Sequence, residues 1–141
     1  MSSTGAASSV KKARVDGNIT GLAGELFVAA ELLKRGLQTS ITFGNAKQID
    51  LFAHNPHTGQ NFTIQVKSLR ARNYFPIRAV QPDHIYVFVI LNKPGQAVQY
   101  YIAPGKRLAD EPERFDLSGE FPAIYATVLA EFEGAWSTFG C

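Results

Sequence analysis

Cysteine is almost missing from this 141-residue chain: a single one stands at position 141, so no internal disulfide can form. That excludes a disulfide-stapled scaffold and fits a reducing cytosol. Long apolar runs are missing as well. None reaches the length needed to span a bilayer, so no membrane partner is expected. There is no internal repeat and no low-complexity tract beyond a Ser-rich start. The Gly-rich stretch 17–24 lacks phosphate-loop spacing and a Lys-Ser/Thr ending, so it is no nucleotide fingerprint. His54 and His57 have no cysteine near them and straddle a turn, which favours solvated loop histidines over zinc ligands.

What is present reads as globular and soluble: 45% hydrophobic and 18% charged residues. The length suits one domain with one core. Residues 1–16, small, polar and basic, carry no signal-peptide core and are expected to form a flexible arm before a single domain at 17–141. Net charge is only +2, but it is unevenly placed. Residues 1–108 hold 13 Lys/Arg against 5 Asp/Glu, while 109–141 hold 1 against 7. A basic body of this kind favours polyanionic partners.

Asn18 or Thr20 is placed to cap a helix running to about Arg35, with Gly36 as its stop. At 100° per residue its core stripe would be Leu22, Leu26, Ala29 and Leu33, with Glu25 on the edge of that face. Short strands are expected at 39–43, 48–53 and 62–67, the last two joined by the turn-forming Asn55-Pro56-His57-Thr58-Gly59. Residues 85–91 form the strongest strand, and Lys93-Pro94-Gly95 turns it into 97–103. A helix is expected near 124–132, with Trp136 available to dock. The order implies an α/β fold with a central mixed β-sheet flanked by helices.

The strands at 48–53 and 62–67 carry polar residues where apolar ones would pack better: Asp50 in the first, Gln65 and Lys67 in the second. Folding about the turn sets position i opposite position 115 minus i, so Asp50 faces Gln65. Opposed Cβ atoms lie roughly 4.5–5.5 Å apart, close enough to share one ion. Alternation puts Gln65 and Lys67 on one face and Ile64 and Val66 on the other.

This pattern resembles the PD-(D/E)XK nuclease superfamily, the restriction-endonuclease-like fold. The matching residues are Gly24-Glu25 on the helix, Ile49-Asp50-Leu51 on one strand, and Gln65-Val66-Lys67-Ser68 on the next. The resemblance covers about 21–68, with looser agreement to Leu91. It implies Mg²⁺ (or Mn²⁺) held by Glu25, Asp50, Gln65 and the main-chain carbonyl of Val66. Lys67 would orient the attacking water or stabilise developing phosphate charge. The implied activity is hydrolysis of DNA phosphodiester bonds, with RNA left open, and a domain this small implies a homodimer or larger complex to grip a duplex. Gln65 departs from the Asp or Glu most common there, although the endonuclease subunit of Tn7-like transposition systems is similar in using Gln. An amide oxygen can coordinate Mg²⁺ but brings no charge, so a nuclease-fold accessory protein with weak or no cleavage is the alternative.

Arg70, Arg72 and Arg78 belong to a stretch, 67–78, with four cations, no acid and interleaved aromatics. It reads either as a strand or loop meeting the phosphate backbone or as a solvated basic edge. Plainer readings exist for the rest: Glu25 as a helix-edge acid, Asp50 and Lys67 as a cross-strand ion pair, Gln65 as an edge-strand amide. Pro76 and Pro82 discourage a helix between 68 and 83, where the family usually has one.

Overall fold

The computed structural model of the chain describes residues 15–44 and 48–141, so the expected N-terminal arm lies almost wholly outside the described residues. Helix α1 spans Gly17–Lys34. Its cap is Asp16, whose carboxylate accepts the Asn18 N–H at 2.8 Å, rather than Asn18 or Thr20. Gly36, at a φ of 90°, ends it as its sequence position suggests. Strand β1 (Gln38–Ile41) leads to β2 (Leu51–His54) and the long β3 (Asn61–Leu69). Then come β4 (Tyr74–Pro76), β5 (Ile85–Ile90), β6 (Gln99–Pro104) and the short helix α2 (Gly105–Asp110).

A five-stranded mixed sheet in the order β1-β2-β3-β5-β6 forms the centre. β2 and β3 are antiparallel with Leu51 opposite Ile64, the expected register. β3 and β5 are parallel, pairing Gln65 with Tyr86 and Lys67 with Phe88. β5 and β6 are antiparallel, as the Lys93-Pro94-Gly95 turn requires. The Ile-Tyr-Val-Phe-Val-Ile sequence of β5 suits a central strand covered on both faces.

One face of the sheet packs on α1, where Val28 and Leu32 meet Leu51, Ile64, Val66 and Val87. Trp136 and Phe139 complete that layer. On the opposite face Phe75, Phe88, Tyr101, Phe115, Leu129 and Phe132 form a second core. Two expectations fail here. The helix expected at 124–132 is instead strand β7 (Ala123–Tyr125), which pairs with β4, followed by 3-10 turns over Ala126–Phe132. The pairing of Ile124 with Phe75 captures the backbone groups that a helix would have needed.

The second failure is the core stripe of α1. Of Leu22, Leu26, Ala29 and Leu33 only Ala29 is buried; the helix presents Gly24, Glu25, Val28, Ala29 and Leu32 to the sheet. Gly24 selects that face. A Cβ there would sit 2.8 Å from the Ser68 Cβ, so its absence lets helix and β3 approach closely. No described helix is long and apolar enough to cross a membrane.

Candidate active site

Asp50, Gln65 and Lys67 line one cleft of about 240 Å³, with Gln48, Arg78, Ala79 and Gln81 around them. The cleft opens on the face of β3 opposite α1, because Gln65 and Lys67 alternate with Ile64 and Val66, which pack beneath the helix. Its far wall is the loop between β4 and β5, where Ala79 takes a φ of 42°, an uncommon conformation for a residue with a side chain.

Asp50 lies one residue before β2 rather than within a strand. Its N–H donates to the Ile64 carbonyl at 3.0 Å, and its Oδ2 accepts the Val66 N–H at 2.7 Å. The Asn55–Gln60 bond at 2.9 Å identifies Ile49–Val66 as the position where a continuing ladder would use the Ile49 carbonyl. That carbonyl instead accepts from the Thr42 hydroxyl. The carboxylate of Asp50 therefore replaces a main-chain acceptor and is fixed against β3 by backbone geometry.

Gln65 is held just as firmly. Its Nε2 contacts His84 Nδ1 at 2.9 Å and donates to the Tyr86 hydroxyl at 3.1 Å. The same hydroxyl accepts the Gln81 N–H at 2.9 Å. With the amide nitrogen engaged, the side-chain carbonyl oxygen is the group left for the cleft. Burial pushes the Tyr86 hydroxyl above its ordinary pKa, reinforced by the nearby Asp83 charge and opposed by the bonds from Gln81 and Gln65. The tether therefore stays neutral well into the alkaline range.

Lys67 makes no ion pair or hydrogen bond with any other described residue, so the plain cross-strand pair with Asp50 is not formed. Glu25 is 7% exposed and is not among the residues lining the cleft; it borders a different recess with Gly21, Leu22, Phe43 and Gly44. Gly44 edges that recess and Gln48 edges the cleft; residues 45–47, between them, are outside the described residues. Gly24 accounts for the burial of Glu25, since the close approach to β3 at one residue draws the next one down.

Of the three arginines, Arg78 alone lines the cleft. Arg70 donates to the Thr20 hydroxyl at 3.0 Å near the start of α1. Arg72 reaches the Tyr101 hydroxyl at 3.4 Å and lies 5.9 Å from the Tyr125 ring centre. His84, Tyr86 and Gln81, which orient Gln65, were not anticipated. Their signal is the parallel pairing of β3 with β5, which no turn in the sequence announces.

Among the described residues no three His, Cys, Asp or Glu side chains gather as a metal cluster. The cleft offers hard oxygens instead: among its lining residues are one carboxylate, Asp50, and three amides, Gln48, Gln65 and Gln81. Such a set fits Mg²⁺ or Mn²⁺, ions that keep several waters and take further oxygens from substrate phosphates. It does not suit zinc.

The five-stranded mixed sheet with flanking helices matches the restriction-endonuclease-like fold that the sequence pattern resembles. Two solved structures share it. A bacterial homing endonuclease, I-Ssp6803I, superposes with a TM-score of 0.58 at 13% identity, covering 88% of this chain and 93% of its own. The Holliday junction resolvase Hjc of Archaeoglobus fulgidus superposes with a TM-score of 0.53 at 16% identity, covering 79% and 88%. No protein-family model and no curated protein matches the sequence.

Proposed function

We propose that this chain is a Mg²⁺- or Mn²⁺-dependent endonuclease that hydrolyses phosphodiester bonds in DNA. The supporting observation is the convergence of Asp50, Gln65 and Lys67 in one cleft of a fold shared with two nucleases. The ion would be held by Asp50, by the side-chain carbonyl of Gln65 and by the main-chain carbonyl of Val66, with Glu25 contributing through water. When bound, it would polarise a phosphoryl oxygen and supply a nucleophilic water.

The chain's own residues supply the rest. Asp50 is locked by the Val66 N–H and Gln65 by His84 and Tyr86, so neither need reorganise when substrate arrives. The Lys67 ammonium, without an ion-pair partner among the described residues, is available to offset charge on the scissile phosphate. Arg78, on the cleft wall, would hold a flanking phosphate. A second reading, a DNA-binding accessory protein with little or no cleavage, is favoured by one fact: among the described residues Asp50 is the only acid lining the cleft.

Cleavage of supercoiled plasmid and branched DNA with Mg²⁺ or Mn²⁺ separates the two, with an RNA duplex assayed alongside. Activity that disappears in Asp50→Asn and falls at least about a hundredfold in Lys67→Met, as expected for a transition-state charge partner, supports the nuclease. Asparagine can still accept the Val66 N–H, so Asp50→Asn keeps the fold. Binding without cleavage under all conditions establishes the accessory role instead.

A further inference from the structure

The outward face of α1 is the least explained surface of the molecule. Between its ends it presents Ile19 (58% exposed), Leu22 (42%), Leu26 (49%), Ala30 and Leu33 (55%), and no charged residue. A helix lying on a sheet ordinarily shows water its polar side. Here Ile19, Leu26 and Leu33 recur every seven residues with Leu22 and Ala30 between them, all within an arc of about 80° at 100° per residue. Sevenfold recurrence in a narrow stripe is the pattern of a helix-to-helix seam.

We infer that this stripe is the interface of a two-fold homodimer in which α1 packs antiparallel against α1 of a second copy. The centre of the stripe is Leu26. A two-fold axis there sets Leu26 against its own equivalent and Ile19 against Leu33, one self-complementary surface serving both copies.

Charge favours this direction. Asp16 lies at the N-terminal end of the stripe and Lys34 at the C-terminal end, both exposed. An antiparallel pair brings each carboxylate to the partner's ammonium and opposes the helix dipoles, whereas a parallel pair would juxtapose like charges. Area is sufficient too. With about 200 Å² per fully exposed large apolar side chain, the stripe and adjoining Phe27 offer on the order of 500 Å² per copy. The pair would then bury about 1,000 Å², the threshold a specific interface has to clear.

The segment 1–14 is a poor competitor for this surface. Residues 1–14 provide only Met1 and Val10 as sizeable apolar side chains. The stripe faces away from the sheet and the inference rests on its apolar pattern, so it does not depend on the nuclease reading.

Sedimentation equilibrium of the full chain tests it. The expected mass is twice 15.4 kDa, falling to the single-chain value in Leu22→Glu/Leu26→Glu with an unchanged circular dichroism spectrum. Phe121→Ser, an exposed apolar site off the helix, should leave the dimer intact. Should the double variant misfold, cysteine cross-linking in a Cys141→Ser background decides. Under diamide, Leu26→Cys should couple to itself, and Ile19→Cys should couple to Leu33→Cys only when the two proteins are mixed. A wild-type chain that stays monomeric at its highest soluble concentration, or a dimer untouched by the double variant and uncoupled at Leu26→Cys, overturns the inference. Coupling of Ile19→Cys with itself overturns the antiparallel arrangement.

Discussion

Gln65 brings an oxygen to the cleft without bringing a charge. With Asp50 the only acid lining the cleft among the described residues, an ion bound there would depend on Glu25 and on substrate phosphates for further charge. Gln65→Glu restores the missing charge at nearly the same volume. The two tethers survive the change, since the ring nitrogen of His84 and the hydroxyl of Tyr86 can each donate as well as accept. Calorimetry without DNA should show Mn²⁺ or Mg²⁺ binding tightened on the order of tenfold, because ligand charge sets affinity in hard-oxygen sites. Asp50→Asn should weaken it by at least as much. Cleavage is the poorer readout, as a tighter ion is not always a better placed one. If neither substitution moves the metal affinity, the hairpin holds no ion.

The register that brings Asp50 and Gln65 to one cleft was legible because a five-residue turn fixes the hairpin. Less visible was the displacement of Asp50 from the strand, which arises when the Thr42 hydroxyl takes the Ile49 carbonyl. A contact of that kind depends on β1 lying beside β2, a neighbour the local sequence does not reveal. The His84–Tyr86 support was hidden for the same reason.

Helix α1 shows what periodicity leaves undecided. Its sequence is apolar on two faces, one containing Val28 and Leu32 and the other containing Leu22, Leu26 and Leu33, and hydrophobicity alone does not choose between them. The choice falls to Gly24, where backbone can approach β3. The Ser68 hydroxyl beneath it is buried without a hydrogen-bond partner, a desolvation penalty accepted for the close approach. Gly24→Ala would force a methyl onto Ser68 and should destabilise the protein by about 1–3 kcal/mol, the usual range for overpacking. Ser68→Ala removes an unsatisfied hydroxyl and should be neutral or stabilising by about 1 kcal/mol. Urea denaturation reads both. A Gly24→Ala protein as stable as the parent would mean that something other than this contact sets the helix face. Glu25 should follow the helix: Gly24→Ala ought to lower cleavage as well as stability, since lifting the helix lifts the carboxylate.

Charge is segregated across the whole molecule. Three of the seven acids of the C-terminal part are paired locally: Glu111 and Glu131 bind both Arg107 and Arg114, and Lys106 holds Asp110 at 2.8 Å. The bonds from Arg114 and Arg107 keep the Glu111 carboxyl below its ordinary pKa. Those pairs are exposed and add little stability; the C-terminal part keeps an acidic excess and the basic excess lies on the rest. If that excess meets a duplex, the logarithm of affinity should fall with the logarithm of salt, by a slope of about 0.9 for each phosphate neutralised. The three arginines should not contribute alike. Arg78 stands on the cleft wall and should carry a full contact, so Arg78→Ala should flatten the slope by about 0.9. Arg72 is drawn against Tyr101 and Tyr125, so Arg72→Ala should flatten it less. Arg70 must leave Thr20 to reach a phosphate and should fall between them. A titration of the three single variants across a salt series orders them. Equal slopes in all three and in the parent would make this stretch a solvated edge and place the duplex elsewhere on the protein.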